Sequence, residues 1–176
     1  IPIDAHIDID EKRFEIKKAR VGKPDNAINV HGYFSFEDTM ALYFDSKKYS
    51  DESLKLFNHA GTVEAKGQGS ITGDYDDIDF TIEFFLYSLQ MEYLKLSNIE
   101  GVIENKKDML EISNVRSKTE KLAARADCRI GLGTSDEFFL KVYVESLKLF
   151  DVLVLPKKMT PSIMEARLRG EIVVEK

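Results

Sequence analysis

Three histidines, one cysteine and a cluster of aspartates are the residues of this chain whose types could do chemistry. His6, His31 and His59 stand in "DAHID", "NVHGYF" and "FNHAG". Acid–base or zinc chemistry would need each at a fixed offset from a nucleophile or a second ligand, and neither a Gly-x-Ser-x-Gly elbow nor a His-Glu-x-x-His pair is present. No catalytic residue is assigned, and the chain reads as a non-enzyme. "DYDDID" places Asp74, Asp76, Asp77 and Asp79 within one short stretch but lacks the loop glycine and distal glutamate of a calcium loop. It reads as a solvated turn, with no metal expected. "GQGSITG" holds Gly67, Gly69 and Gly73, yet a strand follows instead of the helix that a phosphate-binding loop feeds. No cofactor is expected, and these glycines read as relief of crowding on the inner side of a bent sheet. Cys128 falls inside an apolar row and reads as a small buried side chain.

The elements that would position any site follow one period. "IPIDAHIDID" alternates Ile1, Ile3, Ala5, Ile7 and Ile9 with Pro2, Asp4, His6, Asp8 and Asp10, which places the two sets on opposite faces of a strand. "RFEIKKARV" repeats the pattern through Phe14 and Ile16, and "GKPDN" supplies a turn. In "AINVHGYFSF" the residues Ile28, Val30, Gly32, Phe34 and Phe36 share a side. Met40, Leu42 and Phe44 continue it beyond a hairpin at Glu37 and Asp38.

"SDESLKLFNHAG" breaks the period, and Ser50 or Asp51 is expected to cap one helical turn burying Leu54 and Phe57, with His59 in a loop. Alternation resumes at Val63 and, after the acidic turn, through Ile78, Phe80, Ile82, Phe84 and Leu86. A rapid meander follows, with turns expected at Ser97 and Asn98, at 106–108 and at 117–119. Leu122, Ala124, Ala126, Cys128, Ile130 and Leu132 form the next row, and Phe138, Leu140, Val142 and Val144 the one after. "LKLFDVLVL" adds a more apolar strand before the loop "PKKMTPS", and Ala166, Leu168, Gly170, Ile172 and Val174 close the series.

Roughly a dozen strands make this an all-β chain, far above ordinary strand content. With 176 residues and 43% hydrophobic content it is read as one unit, residues 1–176. Net charge −6 leaves no basic excess for nucleic acid, a partner that is not expected. No apolar run is long enough to span a bilayer as a helix, and a lone cysteine names no compartment. The start at Ile1 reads as a cut from a longer chain.

From "INVHGYFSFEDTMALYFDSKKYSDESLKLFNHAGTVEAKGQGSITGDYDDIDFTIEFF" through "LKLSNIEGVIENKKDMLEISNVRSKTEKLAARADCRIGL" the order of parts resembles the TamB and AsmA-like family of envelope proteins. The shared cadence is a glycine-marked strand, a second strand, a short element, a further glycine-marked strand and a new strand pair, covering Ile28 to Leu132. The eukaryotic bridge-like lipid transfer proteins are related to that family. The resemblance implies a long, strongly curled, mostly antiparallel sheet forming an open taco-like trough with an apolar interior. It also implies that phospholipid acyl chains, or detergent, fill the trough during transport between inner and outer membranes.

By the same resemblance the chain works at the periplasmic side of the cell envelope. It is anchored to the inner membrane by a segment outside this stretch, and has a possible outer-membrane barrel partner in outer-membrane biogenesis and translocation-module assembly. The groove lining implied is Ile3, Ile7, Val30, Phe34, Leu42, Ile78, Phe80, Ile82, Phe84, Ile130, Phe138, Leu140, Val142, Leu168 and Ile172. Alternation alone leaves two other architectures open. One is a β-sandwich, structural or protein-binding, whose apolar faces pack on each other, and the other a closed barrel around one small lipid.

Overall fold

The computed structural model describes residues 2–56, 59–91, 95–106, 108–118, 122–132, 137–148 and 167–175; at 51–56, 59–60, 106, 118, 148 and 167–168 only the backbone is described. Eleven strands form one sheet in which spatial order follows chain order from end to end. They are β1 (Ile3–Ile9), β2 (Arg13–Lys23), β3 (Asn26–Ser35), β4 (Thr39–Leu56), β5 (His59–Asp74), β6 (Asp77–Met91), β7 (Lys95–Lys106), β8 (Met109–Lys118), β9 (Leu122–Gly131), β10 (Phe138–Lys148) and β11 (Arg167–Glu175).

Every neighbouring pair is antiparallel. The sheet does not close, because β1 and β11 each pair on one side only, so the barrel alternative is set aside. The sandwich is set aside by burial. Among the described residues only Ala19, Ala41 and Ile99 form a buried apolar core, and no large side chain is fully buried. The accessible surface is 12580 Å², against about 8,700 Å² for a compact monomer of this mass. The sheet is a single layer.

The ladder explains why the alternation is so regular. Residues directly opposite in antiparallel strands share a face. Ala5, Ala19, Val30, Phe44, Gly69, Ile82, Ile103, Ile112, Cys128, Leu140 and Val174 stand opposite one another in one unbroken row from β1 to β11. A one-residue slip anywhere would put a charged row beside this apolar one.

Even-numbered strands carry bulges. β2 has one extra residue between Ile16 and Ala19, β4 between Ser46 and Tyr49, β6 between Leu86 and Ser88 relative to β5, β8 between Ile112 and Val115, and β10 between Val144 and Leu147. Each bulge sharpens the local right-handed twist. Polar side chains tether several of them. Lys17 Nζ lies 2.8 Å from Glu15 Oε1, Lys48 Nζ lies 2.8 Å from Glu64 Oε1, and Asn114, at φ 54°, donates its backbone N–H to Asp127 Oδ1 at 3.2 Å. The Lys17 ammonium, hydrogen-bonded to Glu15, holds that carboxyl below its usual value, and Glu64 holds the Lys48 ammonium above its own. Where the β3–β4 ladder runs out, the Asn26 side-chain amide bridges to the backbone of Ser50, donating to its carbonyl and accepting from its N–H.

Several expectations need correction. The helical turn at Ser50 or Asp51 is absent: β4 continues as strand to Leu56, with Asp51 opposite Val63 and Leu54 opposite Gly61. A single isolated helical turn gains little, whereas the strand gains a partner at nearly every residue; Phe57 lies outside the described residues. His59 begins β5 and is not in a loop. Ser97 and Asn98 do not turn the chain but lie within β7, Ser97 opposite Ser88, and Asn98 takes the positive φ of 54° that asparagine tolerates. Phe36, expected in the row of Phe34, sits in the β3–β4 turn at 61% exposure. Of the turn expected at 117–119, Ser117 and Lys118 belong to β8 and residue 119 lies outside the described residues. The apolar strand expected at 147–155 has only its first two residues in β10, and the remainder, with "PKKMTPS" and Ala166, lies outside the described residues.

Two glycines interlock with phenylalanines across strands. A Cβ on Gly101 would meet Phe84 Cζ at 2.8 Å and Val115 Cγ2 at 3.1 Å, all side-chain atoms. One on Gly69 would meet Phe44 Cζ at 2.7 Å and also the Thr81 carbonyl oxygen at 2.3 Å. Gly101→Ala is therefore expected to destabilise by about 1–3 kcal/mol in urea unfolding and to recover much of that loss when combined with Phe84→Leu. Gly69→Ala should stay destabilised when combined with Phe44→Leu, since the carbonyl remains. Equal recovery in both pairs would contradict the interlock.

Candidate functional site

The apolar face is the feature that the whole ladder builds. Beside the central row lie other apolar alignments. Ile9, Phe14, Phe34, Met40, Gly73 and Ile78 stand opposite one another, as do Ile7, Ile16, Gly32, Leu42, Ile71 and Phe80. Ile3, Val21 and Ile28 run on one side of the centre, and Ala126, Val142 and Ile172 continue the side of Phe84 and Gly101. At the far end Leu110, Ile130 and Phe138 stand opposite one another. Val30, Ile82 and Leu140 therefore share the central row, and fourteen of the fifteen implied lining residues project to the same face. For Leu168 only the backbone is described, opposite Leu147.

This face is half covered by its own neighbours and, among the described residues, by no second layer. Its central side chains are of intermediate exposure, and the edges are more open: Ile3 is 69% exposed, Ile9 70% and Ile172 58%. Asn105 is one of its polar interruptions, with Ser46 opposite Gly67 and Ser117 opposite Ile99. Asn105 falls beside Phe80 and Leu110, and its amide donates to the Ile78 carbonyl and accepts the Phe80 N–H, so it is consumed by the backbone. Polar groups that might have broken the apolar surface are thus satisfied within the sheet.

The opposite face is charged and carries several cross-strand pairs. Arg116 pairs with Glu100, Lys141 with Glu171 at 2.5 Å, and the Gln68 amide donates to Glu83 at 2.9 Å. Arg125 lies 4.8 Å from the ring centre of Tyr143, Arg129 4.6 Å from that of Phe139, and Lys66 5.2 Å from that of Phe85. Two hollows open here, one of about 780 Å³ bounded by Asp45, Lys66, Glu83, Glu100 and Arg116, and one of about 430 Å³ bounded by His31, Tyr43, Ser70 and Thr81. That hollows form on the polar side was not legible in the sequence. A twisted sheet is saddle-shaped, so each face is concave along one diagonal.

The residues singled out for chemistry are dispersed. His6 lies on β1 with Nε2 3.5 Å from Asp8 Oδ1, and His31 on β3 stacks on Tyr43 at 5.3 Å. Asp74 and Asp77 face each other at the β5–β6 turn, where Tyr75 donates its hydroxyl to the Ser35 carbonyl at 2.6 Å. Among the described residues no three His, Cys, Asp or Glu side chains are grouped to hold a metal ion. Cys128 stands in the central apolar row between Ile112 and Leu140, and burial pushes its thiol above the usual value.

No protein-family model matches the chain, and neither a curated protein nor a solved structure does. Among the described residues no helix is long and apolar enough to cross a membrane.

A thiol whose ionisation is suppressed reacts slowly, because the thiolate is the nucleophile. Iodoacetamide at pH 8 is expected to alkylate Cys128 several-fold more slowly in the folded protein than in urea, with mass spectrometry following the adduct. Equal rates would place the thiol in open water.

Proposed function

We propose that this chain is a noncatalytic lipid-shielding segment whose apolar face, curled into an open trough, holds phospholipid acyl chains on their way between the two membranes of a cell envelope. The observation that carries this reading is the central row from Ala5 to Val174, apolar on all eleven strands and, among the described residues, without a covering layer. Apolar patches beyond a few hundred Å² are rare on monomers, and a surface of this extent calls for an apolar occupant. An acyl chain needs no hydrogen-bonding partner, which suits a face on which the Asn105 amide is occupied by backbone.

The open edges support a conduit over a closed pocket, since a single enclosed ligand would need a barrel. The resemblance of Ile28 to Leu132 to the TamB and AsmA-like family points the same way and supplies the periplasmic setting, the inner-membrane anchor outside this stretch and the outer-membrane barrel partner. The charged face, with its cross-strand pairs, would then be the outside of the trough.

The experiment places a photocrosslinking residue at Ile82 or Leu140 on the apolar face and, as controls, at Glu83 or Lys141 on the charged face. Phospholipid adducts are expected at the first two positions and not at the second two, read by mass spectrometry after irradiation in cells. Ile82→Arg should reduce the phospholipid retained by the purified protein several-fold in native mass spectrometry, with circular dichroism checking the fold. Adducts equally abundant on both faces, or a protein that carries no phospholipid and ignores added lipid, would sink the reading.

A further inference from the structure

On the charged face the aromatic rings take cations. Arg13 lies 5.7 Å from the ring centre of Tyr33, Lys66 5.2 Å from that of Phe85 and 5.9 Å from that of Tyr87, Arg125 4.8 Å from that of Tyr143, and Arg129 4.6 Å from that of Phe139. Among the described strand residues of this face, Tyr43 is the ring with no lysine or arginine over it. The His31 imidazole stacks on it at 5.3 Å and 23°, and the tyrosine remains 45% exposed.

The hollow of about 430 Å³ lies against this ring. Tyr43, Ser70 and Thr81 stand opposite one another on β4, β5 and β6, so a large ring is followed by two side chains too short to fill the space beside it. The next row on the same face, about 7 Å along the strands, is Asp45, Gln68 and Glu83. Asp45 Oδ2 accepts from the Asn29 amide at 3.0 Å and Glu83 Oε2 from the Gln68 amide at 2.9 Å. Both donors are neutral, and among the described residues neither carboxylate forms an ion pair. The larger hollow beside it differs, since Lys47, Lys66 and Arg116 line it together with its carboxylates; the smaller is bounded by Asp45 and Glu83 and by no lysine or arginine. Strands β3 to β6 each pair on both sides, so the hollow does not depend on where the sheet ends.

We propose that this hollow binds a guanidinium group. The planar cation lies over Tyr43 as Arg125 lies over Tyr143, and supplies the positive charge that the carboxylates of Asp45 and Glu83 lack. Acceptors for its fork of N–H donors are spread along the two rows: Asp45 Oδ1, Glu83 Oε1, the Gln68 amide oxygen and the hydroxyls of Ser70 and Thr81. A compact, strongly hydrated ammonium matches that spread less well. The hollow is open to water above, whereas small-molecule sites enclose most of their ligand, which favours an arginine side chain carried in on a partner protein. The site is on the face away from the trough and is independent of what fills the trough.

The test uses the absence of tryptophan from the chain, so that Tyr43→Trp keeps an aromatic platform and adds a single fluorophore. The blocked peptide Gly-Arg-Gly should change its emission and saturate with a dissociation constant on the order of 1 mM. The same peptide with lysine should bind about threefold or more weakly, and with citrulline, which keeps the shape and loses the charge, should not saturate. Glu83→Gln in that background should weaken the arginine peptide about fivefold or more, while Glu171→Gln, distant on the same face, should leave it unchanged.

In the wild-type chain, the same peptide should shift the backbone amide signals of Ser70 and Thr81 and the side-chain amide of Gln68 in two-dimensional NMR, and Tyr43→Leu should abolish the shifts. Methylguanidinium identifies the source: tighter binding of the peptide assigns a partner's arginine and tighter binding of the small cation a free ligand, and either supports the site. Citrulline binding as well as arginine overturns the proposal. So does an equal loss in Glu83→Gln and Glu171→Gln, which is diffuse charge attraction, and so does a wild-type spectrum in which none of the three signals moves.

Discussion

Among the described residues each strand is held by the backbone ladder to its neighbours in the chain, with no second layer above or below. In most folds the ladder and the core share the task of fixing the structure; here the lateral contacts along each apolar row take the place of a core. Each cross-strand apolar pair contributes on the order of 0.2–1 kcal/mol, and the central row alone runs through all eleven strands. Register is therefore the quantity on which the rest depends, because the row exists only while every pair is aligned.

The bulges on alternate strands serve the same end. A flat single layer this wide would offer a straight edge and an unbroken apolar plane, and inserted residues twist it. Lys17 and Lys48 sit within their bulges and pair with Glu15 and Glu64, and the asparagine in β8 at φ 54° is bonded to Asp127, so the irregular positions are themselves anchored. Surface ion pairs of this kind are weak individually, and their value here is positional. Phe44 over Gly69 and Phe84 over Gly101 lock neighbouring strands on the apolar side, which lets two large rings lie against the backbone of the next strand.

The two faces divide the work of remaining in water. The charged one forms ion pairs such as Arg116–Glu100 and Lys141–Glu171 and stacks arginine and lysine on aromatic rings, while the apolar one is left half exposed. That asymmetry is the physical content of the lipid-shielding reading: one surface at home in water, the other complete only with an occupant. His6 and His31 belong to the charged face, where His6 pairs with Asp8 and His31 stacks on Tyr43.

Much was legible in the residues themselves. Period-two alternation identified the strands, assigned Ile82, Leu140 and Val30 to one side, and separated them from Glu83, Lys141 and His31, because side-chain direction in an extended chain is a local property. The bulges left a faint local trace, as "KK" in β2 and β4, "SN" in β8 and "ES" in β10 interrupt the alternation. Other features had none. That Ser50 to Leu56 would stay extended, and that Ser97 and Asn98 would lie inside a strand, depended on partners in β5 and β6 that local sequence does not name. Whether the apolar side would be covered by a second sheet, closed into a barrel or left open was decided only by the tertiary structure, since alternation fixes which way a side chain points and not what stands opposite it.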